Sequence, residues 1–181
     1  MRIQNNAPVT LGFFFLSLAA LLLGIVTGGT TTTLLFSVYR SPFSDPLTFV
    51  RLIGHVLGHA SWQHFMSNML LFLVTAPPME EKYGGKKLAF AILLTALVTG
   101  LVHYFFFPAS ALLGASGVVF MLIMLSSVSG VRGRGIPMTM ILVAVLYLGQ
   151  EICSLLFVHD QVSNLTHILG GLIGMLLGFI L

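Results

Sequence analysis

A handful of polar side chains interrupts segments that are otherwise apolar: His64, Ser67 and Asn68, then His103, Ser116, Gln150, Glu151 and His167. Inside such a segment a polar or ionisable side chain is costly, so it is a functional candidate by default. Ser116 and His167 together form the minimum for nucleophilic acyl transfer, in which the imidazole takes the hydroxyl proton and returns it to the leaving amine. Ser116 opens an apolar run, so a helix there would aim its first N–H groups and the positive end of its dipole at a developing oxyanion. His64 and Asn68 stand one helical turn apart and would add two side-chain donors to the same oxygen.

The elements that must position these groups follow from composition. The chain has 181 residues, of which 57% are apolar and only 7% charged, and its mean hydropathy is +1.03. A soluble fold would lack the polar surface to cover that apolar mass, so an all-α integral membrane protein is expected. Six apolar segments are read by length and lack of charge, at 9–28, 62–82, 88–107, 116–129, 136–157 and 166–181. They predict a single membrane domain over 1–181, six transmembrane helices around a buried polar cavity. The stretch 29–61 is too long for a hairpin and too apolar for a solvated loop, and Pro42 and Pro46 break it. It is expected to lie as short helices along the outer interface, with Arg40 and Arg51 at headgroup level and His55 and His59 bonded within the loop. The first segment exceeds the usual apolar length of a signal peptide and no clear cleavage site follows it, so it is read as a retained span.

Charge sets the orientation. Arg2, the Lys82, Lys86 and Lys87 loop and the Arg132 and Arg134 loop fall on one side of a six-span chain, six of the eight basic residues. This places both termini in the cytoplasm. The same distribution accounts for the net charge of +3 and argues against a nucleic-acid partner. The single Cys153 permits no internal disulfide.

Counting helical rise from the cytoplasmic ends puts Asn68, Ser116 and His167 each about 20 Å above the inner face, in one layer. The stretch Pro108–Ala115 would then be a loop dipping into the protein and ending at Ser116. The sixth segment carries Gly170, Gly171, Gly174 and Gly178, and Gly114 and Gly117 flank Ser116. Glycine at spacing four lets helices approach closely, which would bring Ser116 and His167 within reach. Each feature alone has a plainer explanation. Glycine pairs commonly serve packing only, a single histidine often bonds a backbone carbonyl, and His64 and Asn68 would also serve as glue between helices. The His55, His59, His64 run lacks the spacing and the glutamate of a helical zinc motif. No metal and no cofactor is expected.

The set Arg51, His55, His59, His64 and Asn68, followed by Gly114–Ala115–Ser116–Gly117 and by His167, Gly170 and Gly174, resembles the rhomboid family, specifically its six-span bacterial GlpG type. The resemblance runs from about Arg51 to Gly178. It implies an intramembrane serine protease of the bacterial inner membrane that cleaves transmembrane proteins near their outer ends. In that reading Ser116 is the nucleophile and His167 the general base, with His64, Asn68 and the Ser116 amide forming the oxyanion hole. Gly114, Gly117, Phe120, Gly170 and Gly174 support the cleft. Partners would be transmembrane substrates and membrane lipids. Three positions depart from the family pattern: Val50 replaces the usual Trp before Arg51, Phe120 replaces a Tyr, and Leu113 replaces a Gly found in some relatives. With no soluble domain before the first segment, the chain reads as a minimal form. Two other classes compete: a non-catalytic protein of the same fold that binds membrane clients, and a small-solute or proton transporter using His64, His103 and Glu151.

Overall fold

A segment that is apolar on all sides must satisfy its backbone within itself, and the helix is the local way to do so. The computed structural model describes residues 6–129, 138–149 and 161–181, and these are helical apart from connecting turns and one isolated antiparallel bridge between Val38 and Leu112. In chain order they form α1 (Pro8–Val26), α2 (Thr30–Phe36) and α3 (Leu47–Gly54), the last running into a 3₁₀ turn (His55–Leu57). Then come α4 (Trp62–Tyr83), α5 (Gly85–Phe106), α6 (Ser116–Val128), α7 (Met138–Val143, continued by a π turn at Ala144–Leu148) and α8 (Gln161–Ile180). Two of the described helices, α1 and α5, are long and apolar enough to cross a membrane. Much of the segment expected at 136–157 lies outside the described residues, as do Arg132, Arg134, Gln150, Glu151, Cys153 and Asp160.

The core is built on α6. Its buried residues include Val118, Val119, Met121, Leu122, Leu125 and Val128 and leave it little solvent-facing surface. Around it stand α4, α5 and α8, with α8 making the most extensive contact of any described pair. Glycine explains that intimacy. A Cβ at Gly170 would run into the Gly117 carbonyl and one at Gly174 into the Met121 carbonyl, while one at Gly178 would meet the Val128 side chain. The backbones of α6 and α8 are therefore close enough to touch, as the glycine spacing anticipates.

One end of the bundle is tied by charge. α1 opens with Pro8 and has no side-chain cap of its own. Glu80, near the end of α4, supplies the acceptors: Oε1 takes the Val9 N–H at 2.8 Å, and Oε2 takes the Thr10 N–H at 2.8 Å and its hydroxyl at 2.7 Å. A buried carboxylate thus satisfies the orphan donors of a helix N-terminus and complements its dipole. Gly84 turns the chain from α4 into α5 in one residue, with φ 85°, a value that favours glycine. At the same end the Lys82 ammonium bonds the Ser129 carbonyl after α6, and Lys87 bonds the Leu181 carbonyl at 3.1 Å after α8.

At the opposite end lie α2, α3 and the 3₁₀ turn. Here α3 is turned inside out. Phe49, Val50 and Ile53 are exposed, whereas Arg51 is buried at 1% exposure. The Arg51 side chain is thus turned into the protein rather than towards its surroundings. The guanidinium is buried because polar partners surround it: Asp45 at 2.5 Å, the Leu34 carbonyl at 3.1 Å, Ser41 Oγ at 3.1 Å and Thr48 Oγ1 at 3.3 Å. Its flat face lies 4.6 Å from the centre of the Tyr39 ring. Arg40, by contrast, is exposed.

Candidate active site

Ser116 is the first residue of α6, so its N–H is among the donors that a helix N-terminus leaves unpaired. The loop leading to it is held at three points. Val38 and Leu112 exchange two backbone bonds of 2.9 Å, the Gly114 N–H donates to the His55 carbonyl at 2.9 Å, and His103 Nε2 donates to the Ser110 carbonyl at 3.1 Å. Gly114 has φ 129°, which places it where an L side chain is strained. A side chain there would also collide. A Cβ on Gly114 would lie 2.8 Å from His64 Nε2 and 3.8 Å from Asn68 Nδ2. Those two groups therefore stand against the backbone just before Ser116.

Both are poised as donors. His64 Nδ1 accepts a long hydrogen bond, 3.5 Å, from the Ala60 N–H. This leaves the ring proton on Nε2, the atom facing Gly114. The Asn68 Nδ2 is buried without an acceptor among the described residues. A buried amide with no partner is expensive in a resting fold. Ser61 caps α4 by accepting the His64 N–H at 3.1 Å, which fixes the start of the helix carrying both.

On the other side of Ser116 comes α8. Gly117 faces Thr166, whose Cγ2 would lie 3.1 Å from a Cβ at that glycine. The next residue, His167, stacks on Phe120 with ring centres 4.3 Å apart and planes 8° apart. The structure thus gathers Gly114, Gly117, Phe120, Gly170, His64, Asn68 and His167 around the N-terminus of α6, with Gly174 one turn further along.

Three residues at this site were not assigned such places from the sequence. His55 was expected to bond within its own loop; instead its Nε2 meets Thr99 Oγ1 of α5 at 3.3 Å. Thr99 Oγ1 also donates to the Thr95 carbonyl at 2.7 Å, so the imidazole is the donor to Thr99. His103, one turn on from Thr99, holds the loop before Ser116. Their spacing of four on one helix face is the signal that would have linked them. His59 does bond within the loop, from Nδ1 to the Leu57 carbonyl at 3.1 Å, and sets its ring edge-on to His64, 5.1 Å between centres. Burial, with the neighbouring His64 adding to it, pushes His59 down to about 4, and burial pushes His55 to about 4 as well. Among the described residues no three His, Cys, Asp or Glu side chains converge as a metal site. A cleft of about 450 Å³ opens beside the loop, between Leu21, Gly24, Thr32, His59, Trp62 and Leu113.

The family model for the rhomboid domain matches residues 46–181, which is most of the chain. The protein belongs to the rhomboid family. Among curated relatives, the Rhomboid protease GlpG of Serratia proteamaculans (strain 568) is 28% identical over 97% of this chain and 63% of its own length. The Rhomboid protease GlpG of Yersinia pestis (strain Pestoides F) gives the same figures. Rhomboid-related protein 2 of Mus musculus is 28% identical over 71% of this chain and 47% of its own length. The chain therefore spans less than two thirds of these relatives. The rhomboid match takes in α4, α5, α6 and α8, the helices that carry the residues gathered above. Within this rhomboid domain Val50, where Trp was expected before Arg51, faces outward at 47% exposure.

Proposed function

We propose that the chain is an intramembrane serine endopeptidase that hydrolyses peptide bonds of transmembrane proteins with a Ser116–His167 dyad. The observation that carries this reading is the convergence at the N-terminus of α6. On one side is an imidazole held flat on Phe120, and on the other are the His64 Nε2 proton and the unpartnered Asn68 amide against Gly114. The names of the curated relatives, rhomboid proteases, support it further.

In this mechanism His167 takes the Ser116 hydroxyl proton as Oγ attacks the scissile carbonyl carbon. The carbonyl oxygen becomes an oxyanion and receives hydrogen bonds from the Ser116 N–H, His64 Nε2 and Asn68 Nδ2. His167 then gives its proton to the leaving amine, which departs and leaves an acyl-enzyme. Water, deprotonated by His167, then attacks the ester carbon; on collapse His167 gives that proton to the departing Ser116 Oγ, which frees the carboxylic acid and restores the serine. The α6 dipole points its positive end at the oxyanion throughout. The wider proposal has six spans around this cavity in a bacterial inner membrane. The Lys82–Lys87 end, with both termini, faces the cytoplasm and the site lies near the outer surface.

The test is cleavage of a single-span substrate in liposomes, paired with labelling by a fluorophosphonate. The expected result is labelling at Ser116 and no turnover in Ser116→Ala or His167→Ala. His64→Ala and Asn68→Ala should each lose about 10²–10³ in kcat. No labelling of folded wild-type protein, or turnover surviving in Ser116→Ala, would reject the protease and leave client binding as the function.

A further inference from the structure

Among the described residues Arg40 is a cation without a counter-charge. Arg51 is paired with Asp45, the only ion pair among the described residues, and Arg40 is left exposed. It is nevertheless held in place. Its Nη1 donates to the Tyr104 carbonyl at 3.2 Å, and its guanidinium carbon lies 5.1 Å from the centre of the Tyr104 ring and 6.0 Å from that of Phe105. Only one of its N–H donors is engaged among the described residues. The fork is pre-oriented, with the rest of its donors unspent.

The surroundings are apolar and aromatic. Phe43 lies 4.9 Å from Tyr104, 6.0 Å from Phe49 and 6.5 Å from Phe105 between ring centres. Phe49 is 56% exposed and Phe105 53%. A fixed guanidinium at the rim of exposed rings matches one ligand chemistry: a single phosphodiester with hydrocarbon attached. The fork bonds two phosphate oxygens at once, and aromatic rings at a membrane boundary sit between headgroup and chain. An acidic peptide would find one cation and no further polar donor row on this face, since the neighbouring outward residues of α3 are Phe49, Val50 and Ile53.

We propose that Arg40 and the rim of Phe43, Phe49 and Phe105 form a binding site for the phosphate and upper acyl chains of a membrane phospholipid. The site does not depend on the protease reading. Its test is native mass spectrometry of detergent-solubilised protein with added phosphatidylglycerol, with diacylglycerol as the phosphate-free lipid and glycerol 3-phosphate as the chain-free headgroup. Wild-type protein should retain phosphatidylglycerol about tenfold more than diacylglycerol, the effect of a charge-assisted bond, and should not retain glycerol 3-phosphate. Arg40→Gln should lose that preference with its thermal stability unchanged, and Arg40→Lys should keep part of it. Equal retention of phosphatidylglycerol by wild type and Arg40→Gln would overturn the proposal, as would equal retention of the two lipids by wild type. Binding of glycerol 3-phosphate alone would make the site an anion site and also overturn it. If Arg40→Gln fails to fold, the lipid comparison on wild type decides.

Discussion

The imidazole of His167 lies flat on the ring of Phe120, their centres 4.3 Å apart and their planes 8° apart. The two rings come from helices distant in sequence, and the contact exists because α8 is seated on α6 at Gly117 and Met121. Phe120 is one turn beyond Ser116, on the same face of α6. A ring pinned face-on keeps its nitrogens in one plane relative to the serine.

That stack should matter to the chemical step more than to substrate affinity. An aromatic pair contributes about 0.5–1.5 kcal/mol beyond burial, which as lost orientation converts to about two- to tenfold in rate. Phe120→Leu is expected to lower kcat by that factor with KM unchanged, while Phe120→Tyr retains activity. Steady-state kinetics on a single-span substrate checks it; a change in KM alone would assign Phe120 to substrate binding.

The glycines of α8 should form a graded series. A Cβ at Gly170 or Gly174 would overlap most, with backbone carbonyls of α6, whereas one at Gly178 would overlap less, stopping 2.6 Å from the Val128 Cβ. Overpacking costs about 1–3 kcal/mol or more where nothing yields. Gly170→Ala and Gly174→Ala should therefore lower the unfolding temperature most, and Gly178→Ala less. Gly12 of α1 has nothing within 4 Å of a Cβ, so Gly12→Ala should be neutral or stabilising by up to about 1 kcal/mol. Thermal unfolding in detergent ranks the four; equal losses at Gly174 and Gly12 would contradict the backbone contact.

What was legible in the sequence is what depends on spacing within one helix. Ser116, His167, His64 and Asn68 stand out because polar groups are rare in apolar runs, and the Gly170–Gly174–Gly178 interval is readable without any partner. Arg51 was not legible. Its partners Leu34, Tyr39, Ser41, Asp45 and Thr48 are gathered by turns that no periodicity reveals, so a lone arginine in an apolar loop reads as a surface charge. Glu80 likewise looks like an ordinary acid at a helix end until α1 arrives with its unpaired N–H groups. His103 waits in the same way for the Ser110 carbonyl.

Acid should loosen the region around His55 and His59. Burial pushes both down to about 4, while in the unfolded chain they titrate near 6.5. Between those values the unfolded chain binds more protons than the folded one, so stability falls as pH drops from 6.5 towards 4 and levels off below. For the fully buried His55 the gap corresponds to about 3 kcal/mol. The Arg51 guanidinium holds the Asp45 carboxyl below its usual 3.8, so that pair stays charged across the window. Unfolding temperatures at pH 7 and 4.5 should diverge in wild type and diverge less in His55→Gln. An identical pH dependence in both would remove His55 as the source.

The final prediction is that no carboxylate assists His167. Two of the chain's acids are committed elsewhere. Asp45 bonds Arg51 through Oδ2 and the Leu47 N–H through Oδ1 at 3.0 Å, and Glu80 caps α1 at the far end of the bundle. Glu81 is exposed beside it. Glu151 and Asp160 lie outside the described residues and are tested directly. The Phe120 face already orients the imidazole, the task that an aspartate performs in a triad. Asp45→Asn, Glu80→Gln, Glu151→Gln and Asp160→Asn should each keep kcat within about tenfold of wild type, whereas converting a triad acid to its amide costs about 10⁴. Asp45→Asn and Glu80→Gln should instead lower the unfolding temperature, because each leaves a buried partner undercompensated. A loss near 10⁴ in any one of the four, with the variant still folded, would replace the dyad by a triad and name its acid.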